Sequence, residues 1–109
     1  MLSKKRQKLY EKQALVAKAI AHPLRIAILN FLKAKEQCVC DIAVYVRSER
    51  SNVSRHLSLM VGAGVLESRK EGLKVMYNLK TPCILECFSC ITTCLKAQAK
   101  DTQRLLRAI

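Results

Sequence analysis

Six cysteines carry the most reactive chemistry in this chain, and their spacing divides them into two groups. Cys38 and Cys40 stand two apart, whereas Cys83, Cys87, Cys90 and Cys94 follow one another at intervals of four, three and four. On a helix turning about 100° per residue, the second group falls at about 0°, 40°, −20° and 20°, within an arc of about 60°. Such a stripe of thiols suits a soft metal ion or metalloid. Cys83 and Cys94 are about 16 Å apart along the axis, so one ion with bonds of about 2.3 Å cannot gather all four from a straight helix. Neighbours such as Cys83 with Cys87, or Cys87 with Cys90, can form a pair. A third donor must come from an adjacent turn, another element or another subunit. Three thiolates in a pyramid suit arsenic(III) or antimony(III), and four suit cadmium, lead or zinc. Cys38 and Cys40 lie about 200° apart on a regular helix, so they grip one ion only if Cys38 precedes the helix proper. The same thiols could instead form disulfides or persulfides, or simply pack as small apolar side chains.

A second constellation has the side chains that read DNA. Arg50, Ser51, Asn52, Ser54, Arg55 and His56 crowd into two helical turns, with Val53, Leu57 and Met60 spaced to hold the same helix on a core. Arginine reads guanine, asparagine reads adenine and serine reads either, and a recognition helix presents its N-terminal residues to the major groove. Arg69, Lys70 and Lys74 surround Gly72 further on, where they would contact phosphates or a minor groove. Catalysis has no comparable support. His22 serves to open a helix and His56 belongs to the reading segment, so no acid–base pair remains. Cys87 and Cys90 have CxxC spacing but sit mid-helix without a βαβ context.

The elements that must position these groups follow from periodicity. Lys4 to Ile20 reads as a first helix, with apolar Leu9, Ala14, Leu15, Ala17 and Ile20. Pro23 opens a second, whose broad apolar face runs from Leu24 to Leu32. A break at Lys35 to Gln37 precedes a short third helix, Val39 to Val46. After a turn at Arg47 to Arg50, a fourth helix spans Ser51 to about Val61 and stops at Gly62 or Gly64. Val65 to Lys70 and Leu73 to Leu79 form a hairpin about Glu71-Gly72. Pro82 opens a last helix, Cys83 to about Ala108, where Ile84, Phe88, Ile91 and Leu95 make an apolar stripe beside the thiols. The expected fold is mainly α with a β-hairpin wing: a winged helix-turn-helix in the order α-α-α-α-β-β-α.

Composition agrees. The 109 residues suit one domain, residues 1–109, serving both DNA binding and dimerisation. Half are apolar, and the net charge of +12, from 20 Lys and Arg against 8 acidic residues, points to nucleic acid. The basic start, Met1 to Lys12, lacks the apolar centre of a signal peptide. No run reaches the roughly 18 apolar residues of a membrane span. The expectation is a cytoplasmic protein with reduced thiols and no membrane partner.

Three segments resemble the ArsR/SmtB family of metal-responsive repressors: AHPLRIAILNFL (Ala21 to Leu32), EQCVCDIA (Glu36 to Ala43) and SNVSRHLSLMVGAGVLESRKEGLKVMYNL (Ser51 to Leu79). The resemblance covers roughly residues 14 to 97. It implies a homodimer joined through the first and last helices, repression without inducer, and release from double-stranded operator DNA when inducer binds. It places DNA contacts on Arg50 to Asn52 and Ser54 to His56. Several positions depart from the family pattern. Ala43 stands where arsenic-responsive members often carry a third cysteine. The N-terminus lacks the cysteines of cadmium- and lead-responsive members. The last helix offers thiols in place of the Asp, His and Glu ligands of zinc-responsive members. Glu49 is a poor cap for the fourth helix, leaving Ser48 as its substitute.

The leading reading is therefore a repressor released by arsenic(III), antimony(III) or another thiophilic ion, without an organic cofactor. Cys83, Cys87, Cys90 and Cys94 are the principal sensing candidates and Cys38 with Cys40 the secondary ones. A redox- or persulfide-responsive repressor with the same DNA-binding head is the alternative. A small thiol or cluster-binding protein is the reading from a different class.

Overall fold

The computed structural model describes residues 1–109. Its elements are α1 (Lys4–Ile20), α2 (Pro23–Phe31), β1 (Gln37–Cys38), α3 (Val39–Val46), α4 (Arg50–Gly62), β2 (Leu66–Glu71), β3 (Lys74–Leu79) and α5 (Ile84–Ala108). The winged helix-turn-helix order is the expected one, with one addition. The break expected at Lys35 to Gln37 ends in a strand, β1, which lies antiparallel to β3 with Gln37 opposite Tyr77 and Cys38 opposite Met76. The sheet order is β1-β3-β2. Two residues carry too little alternation to reveal a strand. The ladder along β3 supplies what the local sequence lacks.

Caps explain several boundaries. Ser3 accepts a hydrogen bond from the Arg6 amide at 3.2 Å and starts α1. The His22 imidazole accepts from the Leu24 amide at 3.1 Å, and Pro23 follows at the first helical position. At α4 the expected substitution by Ser48 does not occur. Glu49 is the capping residue and makes no side-chain cap. The Ser48 hydroxyl instead accepts from the Asn52 side-chain amide at 2.9 Å. The corner between α3 and α4 contains Arg47 at φ 53, a left-handed conformation that a non-glycine residue adopts at a cost. In the wing, Glu71 pairs with Lys74, so the two-residue turn is Gly72-Leu73, not Glu71-Gly72. Gly72 has φ 64 and Leu73 does not share the positive φ, the pattern of a type II′ hairpin with glycine first.

The core joins every element of the reading head. Ile20, Ile28, Leu29, Leu32, Ile42, Ala43, Val53, Leu57, Met60, Val65 and Leu66 form one buried cluster. Val53, Leu57 and Met60 are its α4 members, at the helical spacing that brings one face inward. Burying each large side chain contributes about 1.5–3 kcal/mol. Phe31 and Tyr45 stack at 4.2 Å between ring centroids and fasten α2 to α3.

The two long helices are anchored at one end only. In α1, residues 4 to 15 are all exposed, and burial begins around Val16, Ala19 and Ile20. In α5, Ile84, Leu85 and Phe88 pack on the core, whereas everything beyond Phe88 is exposed. This divides the apolar stripe of Ile84, Phe88, Ile91 and Leu95. Ile84 and Phe88 belong to the chain's own core, and Ile91 and Leu95 remain uncovered with Leu105 and Leu106.

Candidate DNA-reading face and thiol sites

The core-facing positions of α4 determine what its other face presents. With Val53 and Leu57 fully buried, Arg50, Ser51 and Arg55 are exposed and Asn52, Ser54 and His56 half-buried. Arg55 donates to the Asn52 carbonyl oxygen at 3.3 Å, and Asn52 donates to Ser48. These bonds orient an arginine and an asparagine side by side at the start of the helix. Arg50 reaches back to α3 and donates to the Cys40 sulfur.

His56 has a second engagement. Its Nδ1 accepts from the Arg25 Nε at 3.0 Å, and its ring lies 4.7 Å from that of His22. Burial, then the neighbouring charges of His22, Arg25 and Arg55, hold its pKa below the ordinary histidine value, favouring the neutral acceptor form. The same Arg25 guanidinium donates to the carbonyls of Lys18 and Ala19, at 3.1 and 3.3 Å. Arg25 thus joins the end of α1, the start of α2 and the middle of α4. Sequence reasoning missed this residue, which looks like an ordinary charged position on an apolar helix. Its only signal is a cation on an otherwise broad buried face.

The wing cations divide into paired and free. Arg69 forms a two-point ion pair with Glu36, with Nε donating to Oε2 at 3.0 Å and Nη2 to Oε1, and also meets Glu71 at 3.0 Å. Hydrogen bonding to Arg69 lowers the Glu36 pKa, and the same bond raises that of Arg69. Lys70 and Lys74, exposed near the turn, take no part in an ion pair. Glu36 immediately precedes β1, so this pair ties the wing to the strand that begins the CVC segment.

All six thiols are free, in different settings. Cys38 is 3% exposed, sits in β1 and caps α3 with an extended backbone, φ −83 and ψ 162. It therefore precedes the helix, as a shared grip with Cys40 requires, but its side chain is in the core. Cys40 is half-buried beside Arg50. Cys83 caps α5, and Cys83, Cys87, Cys90 and Cys94 are all exposed. Within one chain no group of three or more Cys, His, Asp or Glu side chains is arranged to hold a metal ion. The α5 stripe supplies pairs of donors.

Comparison with known proteins gives the same architecture. A family model described as bacterial regulatory protein, arsR family, matches residues 22–68, from the cap of α2 into β2. An uncharacterized HTH-type transcriptional regulator of Methanocaldococcus jannaschii is 38% identical over 71 residues, 64% of this chain and 80% of that protein. An arsenical resistance operon repressor of Staphylococcus xylosus is 30% identical over 70 residues, 64% of this chain and 67% of that one. Among solved structures, a homodimeric winged helix-turn-helix DNA-binding domain from Mycobacterium bovis has TM-score 0.77 at 24% identity, covering 92% of this chain and 93% of its own. Family and fold are those of transcriptional regulators.

Proposed function

The chain belongs to the ArsR family of bacterial regulatory proteins, and from that premise we propose that it is a homodimeric cytoplasmic repressor released from operator DNA by a thiophilic inducer. One winged helix-turn-helix domain serves both DNA binding and dimerisation. The observation that carries this reading is the division of α4: Val53, Leu57 and Met60 are buried while Arg50, Ser51, Asn52 and Arg55 face outward at its N-terminal end. Arg50, Ser51, Asn52, Ser54 and Arg55 supply the reading head, with His56 at its inner edge. Lys70 and Lys74 supply phosphate contacts at the wing, and Arg69 joins them when it leaves Glu36.

The inducer is arsenic(III) or antimony(III), with cadmium or lead next. Support comes from the four exposed thiols on α5, from the preference of thiolates for soft ions, and from the arsenical resistance repressor among the relatives. Pairs one turn apart give two donors per chain. The uncovered Ile91 and Leu95 beside them suit a second copy, which brings the remaining donor. Cys38 and Cys40 form the secondary site. Ligation shifts the dimer toward a spacing of reading heads that no longer matches successive major grooves. A redox or persulfide inducer is the second reading, favoured by the same free, exposed pairs.

Titration of DNA-bound protein with arsenite, cadmium, zinc and an oxidant, followed by anisotropy, tests both readings. Release by arsenite or cadmium under reducing conditions is expected. Release by oxidant or polysulfide alone overturns the metalloid reading. Absence of any salt-dependent DNA binding overturns the function itself.

A further inference from the structure

The lysines of α1 share a face, and the end of that helix adjoins α4. At its C-terminal end, α1 contributes Leu15, Lys18 and Ala19 to a shallow hollow whose other walls are Arg25 and the α4 residues Leu59, Gly62 and Ala63. A neighbouring hollow is lined by Arg25, Leu59, Asn52, Arg55 and His56. Arg25 and Leu59 line both hollows, so the end of α1 adjoins the reading helix through Arg25 and through the C-terminal α4 residues Leu59, Gly62 and Ala63. Taking Lys4 as 0° on the α1 wheel, Leu15, Lys18 and Ala19 fall at about 20°, −40° and 60°. Lys4, Lys8 and Lys12 fall at about 0°, 40° and 80°, on the same arc. The cations extend along this face for about 21 Å, from Lys18 to Lys4.

None of these lysines forms an ion pair within the chain, and the anion nearest them is Glu11, which falls at about −20° on the same arc and lines a hollow with Lys4, Lys5 and Lys8. Residues 4 to 15 are all exposed. Glu11 is the one acidic residue of α1. The opposite arc carries Leu9, Tyr10, Val16, Ala17 and Ile20, so an apolar contact made through that arc leaves the lysines uncovered, and Leu15 is the one large apolar side chain that shares the lysine arc.

We propose that the lysine face of α1 is a second DNA-contacting surface, which lies on the phosphodiester backbone outside the segment read by α4. It rests on the DNA-binding function above and adds a flanking, sequence-independent contact to it. Each lysine that neutralises a phosphate releases counterion, so the signature is in the salt dependence.

The test uses the full-length protein and a core duplex selected in vitro by the wild type, alone or extended by about one helical turn, roughly 10 base pairs, at each end. The variant is Lys4→Gln, Lys8→Gln, Lys12→Gln. The control, Lys96→Gln, Lys100→Gln, Arg104→Gln, removes the same charge from exposed positions on α5. On the extended duplex the α1 variant is expected to lower the slope of log affinity against log salt by about 0.9 per lost contact. The core duplex is expected to show little change, and the α5 control to show less effect on either. Equal effects of both variants, or equal loss on both duplexes, would show only a change in net charge and overturn the proposal. So would unchanged DNA binding with loss of adsorption to anionic phosphatidylserine vesicles, which would reassign the face to a membrane. A wild-type chain that binds neither duplex overturns the DNA-binding function, a failure distinct from an α1 variant that behaves as wild type.

Discussion

Arg25 of α2 donates its Nε hydrogen to Nδ1 of His56 in α4, at 3.0 Å across 31 residues of sequence. Because the same guanidinium also holds the last carbonyls of α1, the tilt of α4 is linked to the helix that the family uses for dimerisation. Arg25→Ala removes all three bonds, and a loss of about 1–3 kcal/mol in unfolding free energy is expected. Operator affinity should fall further than stability alone accounts for at temperatures where the variant is folded. Denaturant unfolding beside anisotropy gives both numbers, and unchanged affinity in the folded variant refutes the link.

The same bond sets a pH dependence. His56 accepts from Arg25 only when Nδ1 is unprotonated, and burial with three neighbouring cationic or titrating groups depresses its pKa. The unfolded chain takes up the proton at about pH 6.5, and the folded chain does so only at lower pH. The contribution to stability is therefore whole above about pH 6.5 and declines as pH falls toward the depressed value. His56→Gln keeps an acceptor and removes the titration. Its melting temperature should vary less between about pH 7 and 5 than that of the wild type. Equal slopes for the two proteins sink this assignment.

Arg55 stands at the start of the exposed α4 face and is oriented by Asn52. Arg55→Ala should abolish preference for operator over random DNA, a loss of about 1–3 kcal/mol per contacted base pair. Affinity for arsenite, measured with free protein, should stay as in the wild type. If operator affinity is unaltered, the reading head has been assigned to the wrong residues.

Glu36 neutralises a wing cation that would otherwise face solvent. Glu36→Gln frees Arg69 from its two-point partner, leaving Glu71 beside it. Non-specific DNA affinity at low salt should rise several-fold, with a steeper salt dependence, because one more cation becomes available to phosphate. Thermal stability should change little, since Arg69 is exposed and Glu36 only half-buried. A fall in DNA affinity at unchanged stability would mean that the pair positions the wing rather than masking it.

The thiols divide by burial, and serine variants should divide with them. Cys87→Ser with Cys90→Ser alters exposed positions and should shift stability by less than about 0.5 kcal/mol while removing inducer response. Cys38→Ser places a hydroxyl in the core and should cost about 1–3 kcal/mol. Cys40→Ser is therefore the informative probe of the secondary site. Full arsenite response in the α5 double variant, with loss in Cys40→Ser, would reverse their ranking.

Regular spacing made most of the fold legible. The bounds of α1 and α3 follow from apolar periodicity, from Pro23 and from the turn at Arg47. Val53, Leu57 and Met60 announced the inner face of α4. What escaped depends on partners distant in sequence. β1 exists because β3 offers a ladder to Gln37 and Cys38. Arg25 matters because folding brings His56 to it. Ser48 was expected to cap α4 and was claimed by Asn52 instead. The α5 stripe was correctly periodic, but periodicity does not say where a helix leaves its own body. That point, after Phe88, is set by packing.

The place of Cys38 in the β1–β3 ladder gives the chain two clocks. The thiols of α5 stand in solvent and meet any electrophile or ion at the rate it diffuses to them. Cys38 is reached only when β1 lifts from β3 and the first turn of α3 loosens, so its reaction rate is an opening frequency. A short pulse of reagent would mark the exposed helix and leave Cys38 untouched. Only a sustained exposure would reach the thiol beneath the wing, and the order of labelling would record how long the stress had lasted.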